Sequence, residues 1–206
     1  MADITYEEKS VSDGRQKERY EWMRLWCDHT EITDLPRVLL IGDSINEGYQ
    51  KMVRERLAGK VAVDYCSTSY GLDAPIYHSA VCALAGDTKY ACIHFNFGLH
   101  AWHIDDGEQF ERLYDRTVRE LMEYAPLIIA TTTEVRSGTD RRVCLRNEAT
   151  LRVAARYGLP VDDLYPISRD MPEEMRCPDT VHLTGAGYEL LADSVAASVL
   201  HRLGIE

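Results

Sequence analysis

The stretch Arg37–Leu57, RVLLIGDSINEGYQKMVRERL, decides the fold. Its first six residues are almost continuously apolar, which predicts a strand buried on both faces, the usual state of a strand in a parallel sheet. Gly42-Asp43-Ser44 interrupts the run, and a helix is expected over 45–57. Strand-then-helix recurs along the chain, as an α/β fold requires. Further strands are expected at 60–65 (KVAVDY), 90–96 (YACIHFN), 126–132 (PLIIATT) and, shorter, near 160–164. A helix is predicted over 105–123, where Phe110, Leu113, Val118, Leu121 and Met122 fall at near-helical spacing. Another covers 140–157 and stops at Gly158-Leu159-Pro160, and the last runs from about 185 to 203 behind Thr184, an expected N-cap. Residues 37–206 thus form one doubly wound domain with five parallel strands. Residues 1–36 read as an N-terminal extension in which Tyr20–Trp26 forms a helix docking Trp22, Leu25 and Trp26 on the core; the first ten or so residues are expected to be mobile.

Composition narrows the function classes. With 34 acidic against 23 basic residues the formal net charge is −11, which argues against nucleic acid and anionic membrane surfaces. No apolar run reaches the length of a membrane-spanning helix. The N-terminus, MADITYEEKSVSDGRQKERYEW, is too polar for a secretory signal, so a cytoplasmic protein is expected. Six cysteines are scattered without a C-x-x-C pair or zinc-type spacing, so reduced thiols, no metal and no cofactor are expected.

Three short motifs carry chemistry. Gly42-Asp43-Ser44 ends the best strand and opens a helix, the place where ligands bind in open parallel sheets. Ser44 there sits among free N–H groups that can stabilise developing negative charge, although a serine in that position more often simply caps the helix. Asp179-Thr180-Val181-His182 precedes the last helix, and its spacing lets the carboxylate fold back onto one imidazole nitrogen and leave the other for a serine proton. Asn96-Phe97-Gly98-Leu99-His100 follows the third strand, so its polar side chains reach the same sheet edge. Gly71, after the second strand, can add a backbone N–H there. Each motif alone is weak; their joint delivery to one edge is the signal.

With those residues in view the chain resembles the SGNH (GDSL) hydrolases over roughly 37–203. Gly42-Asp43-Ser44-Ile45 is similar to the family's nucleophile block, and DTVHLTGAGYELLADSV to its terminal D-x-x-H block running into the last helix. The resemblance implies a three-layer α/β/α flavodoxin-like fold, Ser44 as nucleophile, His182 as general base then acid, and Asp179 as its orienter. It implies an oxyanion hole made by the N–H groups of Ser44 and Gly71 and an asparagine side chain. The family's G-x-N-D block stands here as Gly98-Leu99-His100-Ala101, so either His100 or Asn96 supplies the third donor.

The expected reaction is hydrolysis of a short acyl ester, with acetyl on a carbohydrate as first choice. Residues expected near the site are polar or aromatic: Asp43, Tyr70, Tyr77, His78, Trp102, His103, with Arg136 as a further substrate contact. No spare amphipathic segment offers a lipase lid. Trp102 is equally well explained by packing on the next helix, and Arg136, Arg141, Arg142 and Arg146 by a solvated helix face. A thioesterase or lysophospholipase, and a glycan-binding scaffold without turnover, are the alternatives.

Overall fold

The computed structural model describes residues 9–10, 16–137 and 140–206. The mobility expected of the N-terminus falls, for residues 1–8, outside the described residues. Two residues, Lys9–Ser10 (β1), pair antiparallel with Gln16–Lys17 (β2). The main sheet has six strands: Met23–Trp26 (β3), Arg37–Gly42 (β4), Ala62–Thr68 (β5), Cys92–Asn96 (β6), Leu127–Ala130 (β7) and Val161–Asp162 (β8). Their spatial order is β3-β5-β4-β6-β7-β8.

The five strands from β4 to β8 run parallel, as the apolar runs predict. The sixth differs from expectation. Instead of a helix over Tyr20–Trp26, Met23–Trp26 is an edge strand antiparallel to β5, with Met23 opposite Thr68 and Trp26 opposite Tyr65. Leu25 and Trp26 do not dock on the core; they are exposed by 47% and 54%. Without β3, the outer edge of β5 would leave a row of N–H and C=O groups unpaired, and backbone pairing outweighs what four residues can gain as a helical turn.

The helices are Ser44–Leu57 (α1), Pro75–Asp87 (α2), Gly107–Met122 (α3), Asp140–Tyr157 (α4), Leu164–Arg169 (α5) and Gly185–Leu203 (α6), with one 3-10 turn at Glu173–Met175. Alternate sheet residues point to opposite faces and build two cores. Leu39, Ile41, Phe95 and Ile129 meet Tyr77, Phe110, Tyr114 and Val153 from α2, α3 and α4. Val38, Leu40, Ile128 and Ala130 meet Tyr49, Val53, Leu191 and Val195 from α1 and α6. The result is a three-layer α/β/α domain. Where α1 crosses α6, Gly48 lies so close to the Tyr188 ring that a Cβ would come within 2.2 Å of it. Among the described residues no helix is long and apolar enough to cross a membrane.

Candidate active site

The chain leaves β4 toward β5 on one side and β6 on the other, so the C-terminal end of β4 is the topological switch point of the sheet. Ser44 stands there as the first residue of α1. Helix capping is the work of Asp43 instead: its carboxylate accepts the Ile45 N–H at 2.9 Å, which leaves the serine hydroxyl free of that task. A side chain at position 42 would put its Cβ 2.5 Å from that of Asn46, so only glycine fits the turn. Asp43 is fully buried, which corrects its assignment as a substrate contact. Burial pushes its pKa up, against the pull of His100, His182 and the N–H groups of Ile45 and Leu99.

His182 arrives from the other end of the chain. The loop before α6 is pinned by a bridge between Arg176 and Leu183 and by the Cys177 N–H donating to the His182 carbonyl at 2.8 Å. Within it Thr180 takes a left-handed φ of 66°, which turns the backbone so that Asp179 Oδ1 accepts the N–H of both Val181 (3.0 Å) and His182 (2.8 Å). The other carboxylate oxygen, Oδ2, accepts His182 Nδ1–H at 2.7 Å. His182 Nε2 lies 2.8 Å from Ser44 Oγ. Burial raises the Asp179 pKa, but the hydrogen bonds from His182 and Val181 outweigh it and hold the carboxyl below its ordinary range. With Nδ1–H committed to Asp179, Nε2 is the acceptor and can take the serine proton. A second serine, imidazole and carboxylate meet in the core, but there the carboxylate is the bridge: Asp162 bonds both His94 (2.9 Å) and Ser194 (2.6 Å), and no serine–imidazole contact forms.

The loop after β6 meets the turn before Ser44, where the Leu99 N–H reaches the Asp43 carboxylate. Asn96 is turned into the sheet, its amide donating to the Thr131 carbonyl at 2.9 Å while the residue is only 1% exposed. One of the two amide N–H groups of Asn96 is thereby committed to the sheet. His100 is also buried, with Nδ1–H donating to Glu18 Oε2 at 2.8 Å. Burial lowers the His100 pKa, yet Glu18 and Asp43 together carry it above its ordinary value of 6.5. Ala101 follows in the left-handed region at φ 58° and gives its N–H to Glu18 Oε1 at 2.9 Å. Gly71 abuts this turn; a Cβ on it would fall 2.5 Å from that of Ala101.

Arg146 of α4 clamps the same loop. Its guanidinium donates to the carbonyls of Gly98 (2.9 Å), His100 (2.7 Å), Ala101 (2.7 Å) and Ile104 (3.0 Å), and the residue is 2% exposed. The expectation of a solvated face is therefore wrong for Arg146. A signal existed: Val143, Arg146, Asn147, Thr150 and Val153 form one buried stripe at helical spacing. No local pattern marks Glu18, which sits in a polar stretch.

The remaining candidates serve structure to varying degrees. Trp102 is half-buried beneath the Arg142 and Arg146 guanidiniums, 5.1 and 5.5 Å from its ring centre. Tyr77 is fully buried in the core. His78 pairs with Glu120, and His103 with Asp73. Tyr70 is half-buried beside Gly71. Arg136 gives its backbone N–H to the Thr180 carbonyl at 2.9 Å and its side chain to Glu134 and Glu173, so it braces the His182 loop. Among the described residues no His, Cys, Asp and Glu cluster could hold a metal ion.

No protein-family model and no curated protein sequence matches the chain. Solved structures do match. A lipase/acylhydrolase from Enterococcus faecalis superposes with a TM-score of 0.67 at 22% identity, over 82% of this chain and 97% of that one. A member of the lipolytic G-D-S-L family from Veillonella parvula gives 0.67 at 19%, over 81% and 98%. The fold is that of the SGNH hydrolases. An acetylxylan esterase from Geobacillus stearothermophilus shares it too, with a TM-score of 0.64 at 15% identity, over 83% and 95%. The match spans 95% or more of each of these three structures.

Proposed function

We propose that the protein is a serine esterase of the SGNH type that hydrolyses short acyl esters, with O-acetyl groups on carbohydrates as preferred substrates. One observation carries the reading: a single imidazole, His182, lies 2.8 Å from Ser44 Oγ and 2.7 Å from Asp179 Oδ2.

In this reading Ser44 Oγ attacks the ester carbonyl carbon as His182 Nε2 takes its proton, forming a tetrahedral oxyanion. Asp179 holds the tautomer and stabilises the imidazolium. The oxyanion receives N–H groups from Ser44 and Gly71, with His100 or Asn96 as the third donor. His182 returns the proton to the departing alcohol oxygen, leaving an acyl-serine. Water repeats the sequence: it loses a proton to His182, attacks the acyl carbon, and releases the acid and the serine hydroxyl. Every step uses side chains or backbone of this chain.

The acetyl preference rests on the names of the fold neighbours. They include acetylxylan esterases and the catalytic domain of a peptidoglycan O-acetyltransferase from Streptococcus pneumoniae. A cytoplasmic location is part of the proposal, supported by six cysteines that are all free thiols.

The test compares wild type with Ser44→Ala on chromogenic acetyl, butyryl and octanoyl esters and on acetylated xylo-oligosaccharides. The proposal expects turnover that vanishes in Ser44→Ala and falls steeply from acetyl to octanoyl. Equal rates for the two proteins would leave a glycan-binding scaffold, and activity rising with chain length would favour a thioesterase or lysophospholipase.

A further inference from the structure

The loop from Arg176 to Leu183 has an exposed tip. Pro178, Asp179 and Thr180 are all exposed, so packing does not fix the carboxylate that directs His182. The base of the loop is closed by the Arg176–Leu183 bridge, by the Cys177 N–H on the His182 carbonyl and by the Thr184 N–H on the Met175 carbonyl, each of these two bonds at 2.8 Å. Firm ground lies across from it, after β7. There the Asn147 amide pairs with both backbone groups of Thr132, at 2.8 and 2.9 Å, and the Glu134 N–H donates to Ser168 Oγ at 2.8 Å. Glu134 presents one oxygen, Oε2, to two guanidiniums: Arg176 at 2.6 Å and Arg136 at 3.0 Å. Arg176 also donates to the Ser168 carbonyl, and Arg136 gives its backbone N–H to the Thr180 carbonyl. A single carboxylate thus ties both the base and the tip of the loop to the end of β7.

From this geometry we propose that Glu134 is a positioning residue for Asp179 and His182, acting through Arg176 and Arg136. The inference rests on the esterase reading above and deepens it. A proton relay works only while its members stay in reach of one another, and a displacement of about 1 Å costs about 100-fold. Three exposed residues do not meet that tolerance unaided; contacts behind them must lock them. Thr180 makes the need plain. It is held at φ 66°, a conformation that a β-branched residue leaves unless its surroundings retain it, and the bond to its carbonyl is one such restraint. The exposed pair Arg136–Glu173 is screened by solvent and adds little. Glu134–Arg176 differs: its side chains are 16% and 3% exposed, so the pair is poorly screened and its geometry is directional.

The test separates placement from folding. Glu134→Gln alone leaves the Arg176 guanidinium buried without a counter-charge, so stability and activity fall together. Glu134→Gln/Arg176→Met removes both charges and should unfold within a few degrees of wild type; the Ser168 carbonyl keeps the Met171 N–H at 3.3 Å. Arg136→Ala is the second variant, at a side chain 40% exposed. Each is measured by thermal unfolding, by kcat and KM on a chromogenic acetyl ester, and by the downfield Nδ1–H proton resonance of His182, identified by its loss in His182→Ala. The expected result in the double variant is kcat lower by about 10–100-fold with KM within about twofold, and a His182 resonance broadened or lost. Arg136→Ala should show the same pattern with a loss of about threefold or more. Wild-type kcat and an unchanged resonance in either folded variant would overturn the inference. So would a lower kcat with an unchanged resonance, which would place the loss away from His182, and so would a loss carried by KM. Absence of Ser44-dependent turnover in wild type is a different failure: it removes the esterase reading, and the resonance alone then decides whether Glu134 places the ring.

Discussion

Replacing Asp179 by asparagine should abolish nearly all turnover without unfolding the protein, and the structure says why. Oδ1 of Asp179 already accepts two backbone N–H groups, from Val181 at 3.0 Å and His182 at 2.8 Å. In Asp179→Asn the amide oxygen should keep that position, since the reverse orientation sets an NH2 against two N–H donors and loses two hydrogen bonds worth about 0.5–1.5 kcal/mol each. The NH2 therefore faces His182 Nδ1, which has to become an acceptor. The ring proton moves to Nε2, and that nitrogen, 2.8 Å from Ser44 Oγ, can no longer take the serine proton. The wrong tautomer in such a relay costs about 10⁴-fold in kcat, or about 5.4 kcal/mol. The assay is steady-state hydrolysis of a chromogenic acetyl ester, with thermal unfolding measured in parallel. Asp179→Asn should unfold within a few degrees of wild type because both turn bonds survive. Asp179→Ala, which loses them, should be the less stable of the two. If Asp179→Asn retains more than about a tenth of wild-type kcat, the tautomer argument is refuted.

Other expectations follow from burial and charge. Arg146→Met removes the donor from four carbonyls of a buried loop and should destabilise the fold by about 3 kcal/mol or more in urea denaturation, with Arg146→Lys intermediate because an ammonium cannot span all four; a loss under about 1 kcal/mol would contradict the clamp. Gly48→Ala should destabilise by about 1–3 kcal/mol through collision with the Tyr188 ring, although alanine gains about 1 kcal/mol in helix propensity. Net stabilisation would show that α1 and α6 have room to part. The folded pKa of His100 is raised, so its contribution is complete below the ordinary value of 6.5 and is lost as pH climbs through the higher folded value. The stability gap between wild type and His100→Gln should accordingly narrow with rising pH, and a widening gap would reverse the sign. Asp179 behaves oppositely: its depressed pKa gives a contribution present above 3.8 and lost as pH falls through the folded value, so wild type and Asp179→Ala should converge in acid.

How far the sequence could be read depended on whether a contact is encoded locally. The parallel strands were legible because a strand buried on both faces must be apolar throughout, as Val38–Ile41 and Leu127–Ala130 are. The meeting of Ser44 with His182 was legible for a topological reason: strand ends and the loop before the last helix share one edge, so two short motifs far apart in sequence imply one place. Met23–Trp26 failed that logic. Two tryptophans and a leucine suggested a docking helix, whereas the segment is set by the backbone groups on the edge of β5, which no side-chain pattern announces. Asn96 and His100 could not be separated either, because which of them turns into the sheet depends on the Thr131 carbonyl and on Glu18, residues 35 and 82 positions away.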